Sequence, residues 1–127
     1  MPSYFEGMYP LVGIVIAVHN ARDKTLRCLE SLRNITYSQV RIYIVDDGST
    51  DGTWEVISRR YPYVILIKGT GELYWSGGYN KGIGYALKDG CEYILLLNND
   101  CIVEKNFLDV LVKVAMKYKP TIVGPII

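Results

Sequence analysis

Leu95-Leu96-Leu97-Asn98-Asn99-Asp100 is an apolar run that stops abruptly at two carboxamides and a carboxylate. In an α/β protein such a transition marks the C-terminal end of a buried strand, the edge where ligands bind. A lone carboxylate there is suited to hold a divalent cation against a phosphate. Three more runs end in the same way. Leu11 to Val18 is continuously apolar and stops at His19-Asn20. Val40 to Val45 stops at Asp46-Asp47-Gly48-Ser49-Thr50-Asp51-Gly52, and Val64 to Ile67 stops at Lys68-Gly69-Thr70-Gly71.

Helical patterns lie between these runs. Asn20 is placed to cap a helix carrying Leu26, Leu29 and Leu32, and the next helix holds Trp54, Val56 and Ile57 and finishes before Pro62. A glycine-rich helical region runs through Trp75, Gly77, Gly78, Asn80 and Gly82 to Leu87. A last helix from about Lys105 to Tyr118 presents Phe107, Leu108, Leu111 and Val114, and Thr121 to Ile127 reads as a fifth strand. Strand and helix alternate, which predicts an α/β fold: a doubly wound, mostly parallel sheet with helices on both faces. Right-handed crossovers then bring Val18-His19-Asn20, Asp46-Asp47-Gly48, Lys68-Gly69 and Asn98-Asn99-Asp100 to one crevice, where such sheets bind nucleotides.

The composition agrees with one globular domain. The chain has 127 residues, 50% hydrophobic and 21% charged, with a net charge of +1 and no basic block, so nucleic acid is not its expected partner. Cys28, Cys91 and Cys101 have neither disulfide-framework nor zinc spacing, and a reducing, cytoplasmic setting is the simplest reading. No apolar run approaches the ~20 residues that span a bilayer. Residues 1–10 read as an extension without signal-peptide character.

Each polar cluster admits a structural and a functional reading. In Asp46-Asp47-Gly48-Ser49, a carboxylate can accept from a base N–H or a ribose hydroxyl, yet Asp, Gly and Ser are also turn formers. Asp47 is assigned to ligand, Asp46 to structure and Asp51 to a helix cap. Asn98-Asn99-Asp100 is either a cation site or an Asx turn. In Trp75-Ser76-Gly77-Gly78-Tyr79-Asn80, the glycines let backbone approach either a ligand or the sheet, and Trp75 is either a pocket wall or core. His19, the one histidine, carries no evidence of acid–base work. Gly69-Thr70-Gly71 lacks the third glycine of the dinucleotide fingerprint, whose place holds Tyr74, and no Walker sequence is present.

In order and spacing, Ile14 to Asn20, Ile44-Val45-Asp46-Asp47-Gly48-Ser49-Thr50-Asp51-Gly52-Thr53 and Asn98-Asn99-Asp100 resemble the family 2 glycosyltransferases of GT-A fold. Leu73 to Ile83 also fits a subset with rhamnosyltransferase-like members. The resemblance covers residues 11–127. It implies transfer of a sugar, with inversion, from a UDP-, dTDP- or GDP-linked donor to a glycan or lipid-linked acceptor, in cell-envelope polysaccharide synthesis at the cytoplasmic face of the membrane. Ala17, Val18, His19 and Asn20 would line the nucleotide pocket, Asp47 would meet the base, and Asn80 would lie near the donor, with Trp75, Gly77, Gly78 and Asn99 about it. Asp100 matches the last acid of the family's Asp-X-Asp motif, which binds Mg²⁺ or Mn²⁺ through the donor diphosphate. Asn98 replaces the first acid, so weak metal binding without donor is expected.

Family members continue beyond this length and carry the acceptor site and general base there, so no catalytic residue is assigned within residues 1–127. The chain is expected to be the donor-binding half, inactive alone, with an exposed sheet edge near Ile122 to Ile127 that favours a homodimer. A nucleotidylyltransferase-like domain and a non-catalytic nucleotide-binding module are the competing readings.

Overall fold

The computed structural model describes residues 9–118. The strand expected at Thr121–Ile127, the dimer edge built on it and residues 1–8 of the expected extension lie outside these residues. The elements run β1 (Val12–Val18), α1 (Arg22–Leu32), β2 (Val40–Asp46), α2 (Thr53–Arg60), β3 (Ile65–Lys68), α3 (Tyr74–Lys88), β4 (Tyr93–Leu96) and α4 (Phe107–Lys117). All strand pairs are parallel, in the order β3-β2-β1-β4.

Every residue of β1 is buried, as a central strand of a two-faced parallel sheet requires. Period-two alternation divides its side chains. Val12, Ile14, Ile16 and Val18 join Cys28, Leu29 and Leu32 of α1, Ile57 of α2, and Leu108 and Val112 of α4. Val15 joins Tyr43, Val45, Ile67 and Ala86 on the opposite face, under α3. The chain thus winds outward from β1 to β3 over one face and returns to β4 over the other.

Small residues set how closely α3 approaches. Gly78, Gly82 and Ala86 repeat at four-residue spacing on one side of α3 and meet Ala17, Val15 and Gly13 of β1 in turn. A Cβ on Gly82 would sit 2.3 Å from Cγ1 of Val15, and one on Gly78 would sit 3.0 Å from the Ala17 methyl. Gly78 therefore serves helix–sheet packing, which corrects the expectation that it gives a ligand access. Gly77 faces Leu73 of its own turn.

Two helices differ in detail from expectation. In α1 the buried side is Thr25, Cys28, Leu29 and Leu32, with Leu26 half-buried. In α4 the first turn begins at Phe107, so the buried phase is Leu108, Val112 and Ala115, and Val114 faces outward.

Register places the site. Val18 pairs with Asp46, and Asp46 with Lys68, so β1, β2 and β3 end in one row. β4 pairs only to Leu96, opposite Val15, and Leu97 donates its N–H to the Val15 carbonyl. The chain then carries Asn98 to Asp100 alongside the end of β1, at the point where the strand order reverses.

Candidate nucleotide site

A cavity of about 550 Å³ opens at this strand edge. That is within the usual range for a small-molecule site. It is lined by Ala17 and Val18 at the end of β1, His19 after it, Ala21 and Lys24 at the start of α1, Asp47 after β2, Gly71, Tyr74 and Trp75 before and within α3, and Asn98, Asn99 and Asp100 after β4. The sequence-derived site residues Ala17, Val18, His19, Asp47, Trp75, Asn98, Asn99 and Asp100 thus come together. Asn20, Gly77, Gly78 and Asn80 do not line it. Asn80 is exposed elsewhere on α3.

The two loops after β1 and β2 are tied together by polar groups. Asn20 does not cap α1. The helix starts at Arg22, preceded by Asn20 and Ala21 at φ of 59° and 57°. Two successive non-glycine residues in the left-handed region cost about 1–2 kcal/mol each, and bonds from the second loop hold them. The Asn20 N–H donates to the Ser49 hydroxyl at 2.7 Å, and the Thr50 N–H donates to Asn20 Oδ1 at 2.8 Å. The His19 Nδ1–H donates to the Asp47 carbonyl at 2.7 Å. Asp46 accepts from the Ser49 N–H, three residues on, at 3.1 Å and so closes the turn as a structural residue.

Asp51 serves two helix starts. Its carboxylate accepts from the Arg22 N–H of α1 at 3.0 Å, and from the N–H and hydroxyl of Thr53 in α2. Burial opposes its ionisation. The bonds from the Thr53 hydroxyl and the Arg22 and Thr53 N–H groups outweigh that and hold its pKa below the ordinary carboxylate value.

Asp47 is buried and committed inward. Oδ1 accepts from the Gly71 N–H at 2.7 Å, and Oδ2 accepts from the Leu73 and Tyr74 N–H groups at 2.8 and 3.1 Å. The loop it holds ends in Tyr74, another non-glycine residue at positive φ, 57°. Tyr74 and Trp75 follow with 77% and 58% of their surface exposed, so Trp75 belongs to the cavity wall rather than to the core.

The loop after β4 is built differently. The buried Asn99 donates to the Thr25 hydroxyl at 3.2 Å and anchors the loop to α1. The Asn98 carbonyl accepts from the Cys101 N–H in a tight turn, and Asn98 Oδ1 lies 3.4 Å from the donating Tyr79 hydroxyl. Cys28 packs beneath this turn. Burial above all, then Cys101 and Asp100, pushes its thiol up to about 12, so it stays protonated and unreactive. Asp100 is exposed at the cavity, and no protein donor engages its carboxylate among the described residues. The described residues contain no cluster of three His, Cys, Asp or Glu that could hold a metal by itself. One free carboxylate beside carboxamide oxygens fits a Mg²⁺ or Mn²⁺ ion whose shell is completed by phosphate and water, not a closed protein cage.

Lys24, Ala21 and Tyr74 were not singled out in the sequence. Lys24 lies on the first turn of α1 and is, among the described residues, the one lysine or arginine lining the cavity. Its spacing after Asn20 was readable as a first-turn position, but nothing marked it off from other surface lysines.

In open parallel α/β sheets ligands bind in the crevice at the switch point, which is where this cavity lies. The sequence profile of Glycosyl transferase family 2 matches residues 13–127, and the chain belongs to that family. It is 28% identical over 105 residues to Glycosyltransferase GlyG of Streptococcus pneumoniae, an alignment covering 82% of this chain and 35% of GlyG. The chain thus spans about a third of that relative's length. Among solved structures, Staphylococcus aureus TarS 1-349 in complex with UDP superposes with a TM-score of 0.65 at 23% identity, over 84% of this chain and 32% of that one. The mannosyltransferase PcManGT from Pyrobaculum calidifontis, in complex with GDP-Man and Mn²⁺, gives a TM-score of 0.65 at 20% identity, over 72% of this chain and 28% of that one. The architecture is that of GT-A glycosyltransferases.

Proposed function

We propose that this chain is the donor-binding part of a glycosyltransferase, and that its cavity takes the nucleotide diphosphate of an activated sugar. The single observation that carries this reading is the pairing of an unengaged Asp100 carboxylate with Lys24 in one cavity at the C-terminal strand edge. The likeness to enzymes whose structures hold UDP, or GDP-Man with Mn²⁺, supports a diphosphate-bearing ligand.

In this reading Asp100, with Asn98 through its side-chain oxygen or a water, would hold Mg²⁺ or Mn²⁺. The ion, when bound, supplies charge neutralisation for the departing diphosphate. The Lys24 ammonium adds a fixed positive charge from the start of α1, where the helix dipole also favours an anion. Asn99 keeps the loop in place through Thr25. His19, with its Nδ1–H fixed on the Asp47 carbonyl, is held as a wall residue of the cavity. Asp47 is engaged by backbone N–H groups and Asp100 is proposed to hold the cation, so neither is assigned the role of deprotonating the acceptor hydroxyl. The acceptor is a glycan or a lipid-linked glycan, and inversion follows from a direct displacement. The three buried free thiols support a cytoplasmic setting.

Calorimetric titration of the chain with UDP, dTDP and GDP, each with and without Mn²⁺, tests the reading. Metal-dependent binding of at least one nucleotide is the expected result. Absence of binding to all three, or equal affinity with and without Mn²⁺, would contradict it.

A further inference from the structure

We infer that Thr25 is a positioning residue: its buried hydroxyl ties together the two lips of the cavity, the one before Lys24 and the one that carries Asp100, and so couples cation binding to nucleotide binding. The inference rests on the nucleotide reading above and adds to it a cause of cooperativity.

Thr25 is wholly buried on α1, directly after Lys24. Its hydroxyl donates to the Ala21 carbonyl at 3.0 Å, and its N–H donates to the same oxygen at 3.1 Å. A carbonyl only accepts, so the one hydroxyl proton is spent there. The hydroxyl oxygen is left to accept, and it takes an N–H of the Asn99 side chain at 3.2 Å. Ala21 belongs to the lip after β1 and Asn99 to the lip after β4, and both line the cavity. The first lip needs the hold, because Ala21 keeps a left-handed backbone, φ 57°, that its side chain disfavours.

The same device recurs further along α1. The Ser31 hydroxyl donates to the Cys28 carbonyl at 2.7 Å and accepts from the Val103 N–H at 3.1 Å. Between the two hydroxyls, the Cys28 thiol faces the Asn98 carbonyl at 3.8 Å. Three-residue spacing puts Thr25, Cys28 and Ser31 on one side of the helix, a seam to which the chain from Asn98 to Val103 is fastened. A hydroxyl that has spent its proton on its own helix is an oriented acceptor for that chain. No protein donor holds the Asp100 carboxylate among the described residues, so its place is set through the backbone of Asn99 beside it. A nucleotide diphosphate without a cation meets only the Lys24 lip. With a cation it spans both lips, and a preset separation spares the cost of ordering one against the other. The link therefore acts on the cation-bridged complex and leaves the cation-free one alone.

The experiment uses the full 127-residue chain and two readouts. Calorimetry gives the affinities for UDP, dTDP and GDP with and without Mn²⁺, and ¹⁵N spectra give hydrogen exchange of the Asn99 side-chain amide in the free protein. Thr25→Val removes the hydroxyl at nearly constant shape, and Thr25→Ser keeps it. In Thr25→Val the gain in nucleotide affinity from Mn²⁺ is expected to fall about tenfold, while affinity without Mn²⁺ stays within about twofold of the parent. Thr25→Ser should restore the parent's gain. In the free parent the Asn99 amide should exchange at least about tenfold more slowly than the exposed Asn80 and Asn106 amides, a difference that Thr25→Val abolishes. Affinities lowered equally with and without Mn²⁺, so that the gain is unchanged, would make Thr25 a structural residue only and overturn the proposal. An Asn99 amide that exchanges as fast as Asn80 in the parent would do the same. Should Thr25→Val not fold, Asn99→Ala breaks the link from the other lip, and an undiminished Mn²⁺ gain in it refutes the coupling. A parent with no nucleotide affinity, or no gain from Mn²⁺, contradicts the nucleotide reading instead. The link between the lips is then decided by Asn99 exchange alone, where equal rates in parent and Thr25→Val refute it.

Discussion

The loop Asp46–Asp51 and the loop Asn98–Asp100 are made from the same kinds of residue at the ends of the two strands that flank β1, yet they use them in opposite ways. In the first, each of the three carboxylates is spent inside the protein. Asp46 closes a turn, Asp47 holds the loop before α3, and Asp51 serves the starts of α1 and α2. In the second, the carboxamide of Asn99 is spent on Thr25 and Asp100 is left exposed to the cavity. Acidic residues at a strand edge therefore cannot be read as ligands by type alone. What matters is whether backbone N–H groups, which must be paired when shielded from water, have claimed them first.

The largest break in this comparison should come from Asp47→Ala. Three backbone N–H groups lose a charged acceptor, and hydrogen bonds to charged groups are worth about 1.5–3 kcal/mol each before solvent recovers part of the loss. A destabilisation of about 3 kcal/mol, read as a lower urea midpoint at unchanged slope, is expected.

Asp51→Ala should cost less, about 1–2 kcal/mol, the worth of a helix cap shared by two helices. Its effect should also depend on pH in a definite direction. The folded pKa lies below the ordinary carboxylate value, so the stabilisation is present above the unfolded pKa of about 4 and is lost as pH falls through the folded value. The urea midpoints of wild type and variant should differ at pH 7 and draw together as pH falls below about 4.

Asp100→Ala is expected to change stability by less than about 0.5 kcal/mol, as for an exposed residue without partners. It should nevertheless remove the Mn²⁺ dependence of nucleotide binding in calorimetry. Lys24→Ala should be equally silent in unfolding, and should weaken UDP by about tenfold while leaving uridine unaffected, since only UDP carries the charge that Lys24 meets.

The fold was legible in the sequence wherever hydrophobic period and chain length agreed. Four apolar runs became four parallel strands, with ends shifted by a residue or so. The glycine-rich helix was legible as a helix, but its purpose was not. Gly78 and Gly82 look the same in sequence whether they admit a ligand or the side chains of β1, and only the four-residue match to Ala17, Val15 and Gly13 decides it. Asn20 misled because it has the right residue type one turn position too early, where a positive φ makes its side chain a partner for Thr50 instead of a cap. Asp100 could be found from its place after Leu97. The inward commitment of Asp47 could not, because its partners are backbone N–H groups 24 to 27 residues away, and backbone leaves no mark in composition.

The division between a loop that builds and a loop that presents is most directly tested by paramagnetic broadening. With UDP in excess, substoichiometric Mn²⁺ is added to the ¹⁵N-labelled chain, and amide signals are followed. The account predicts that Asn98, Asn99, Asp100 and Lys24 broaden first while Asp46, Asp51 and Thr53 stay sharp. Broadening centred on Asp46 or Asp51, or spread evenly over both loops, would contradict it.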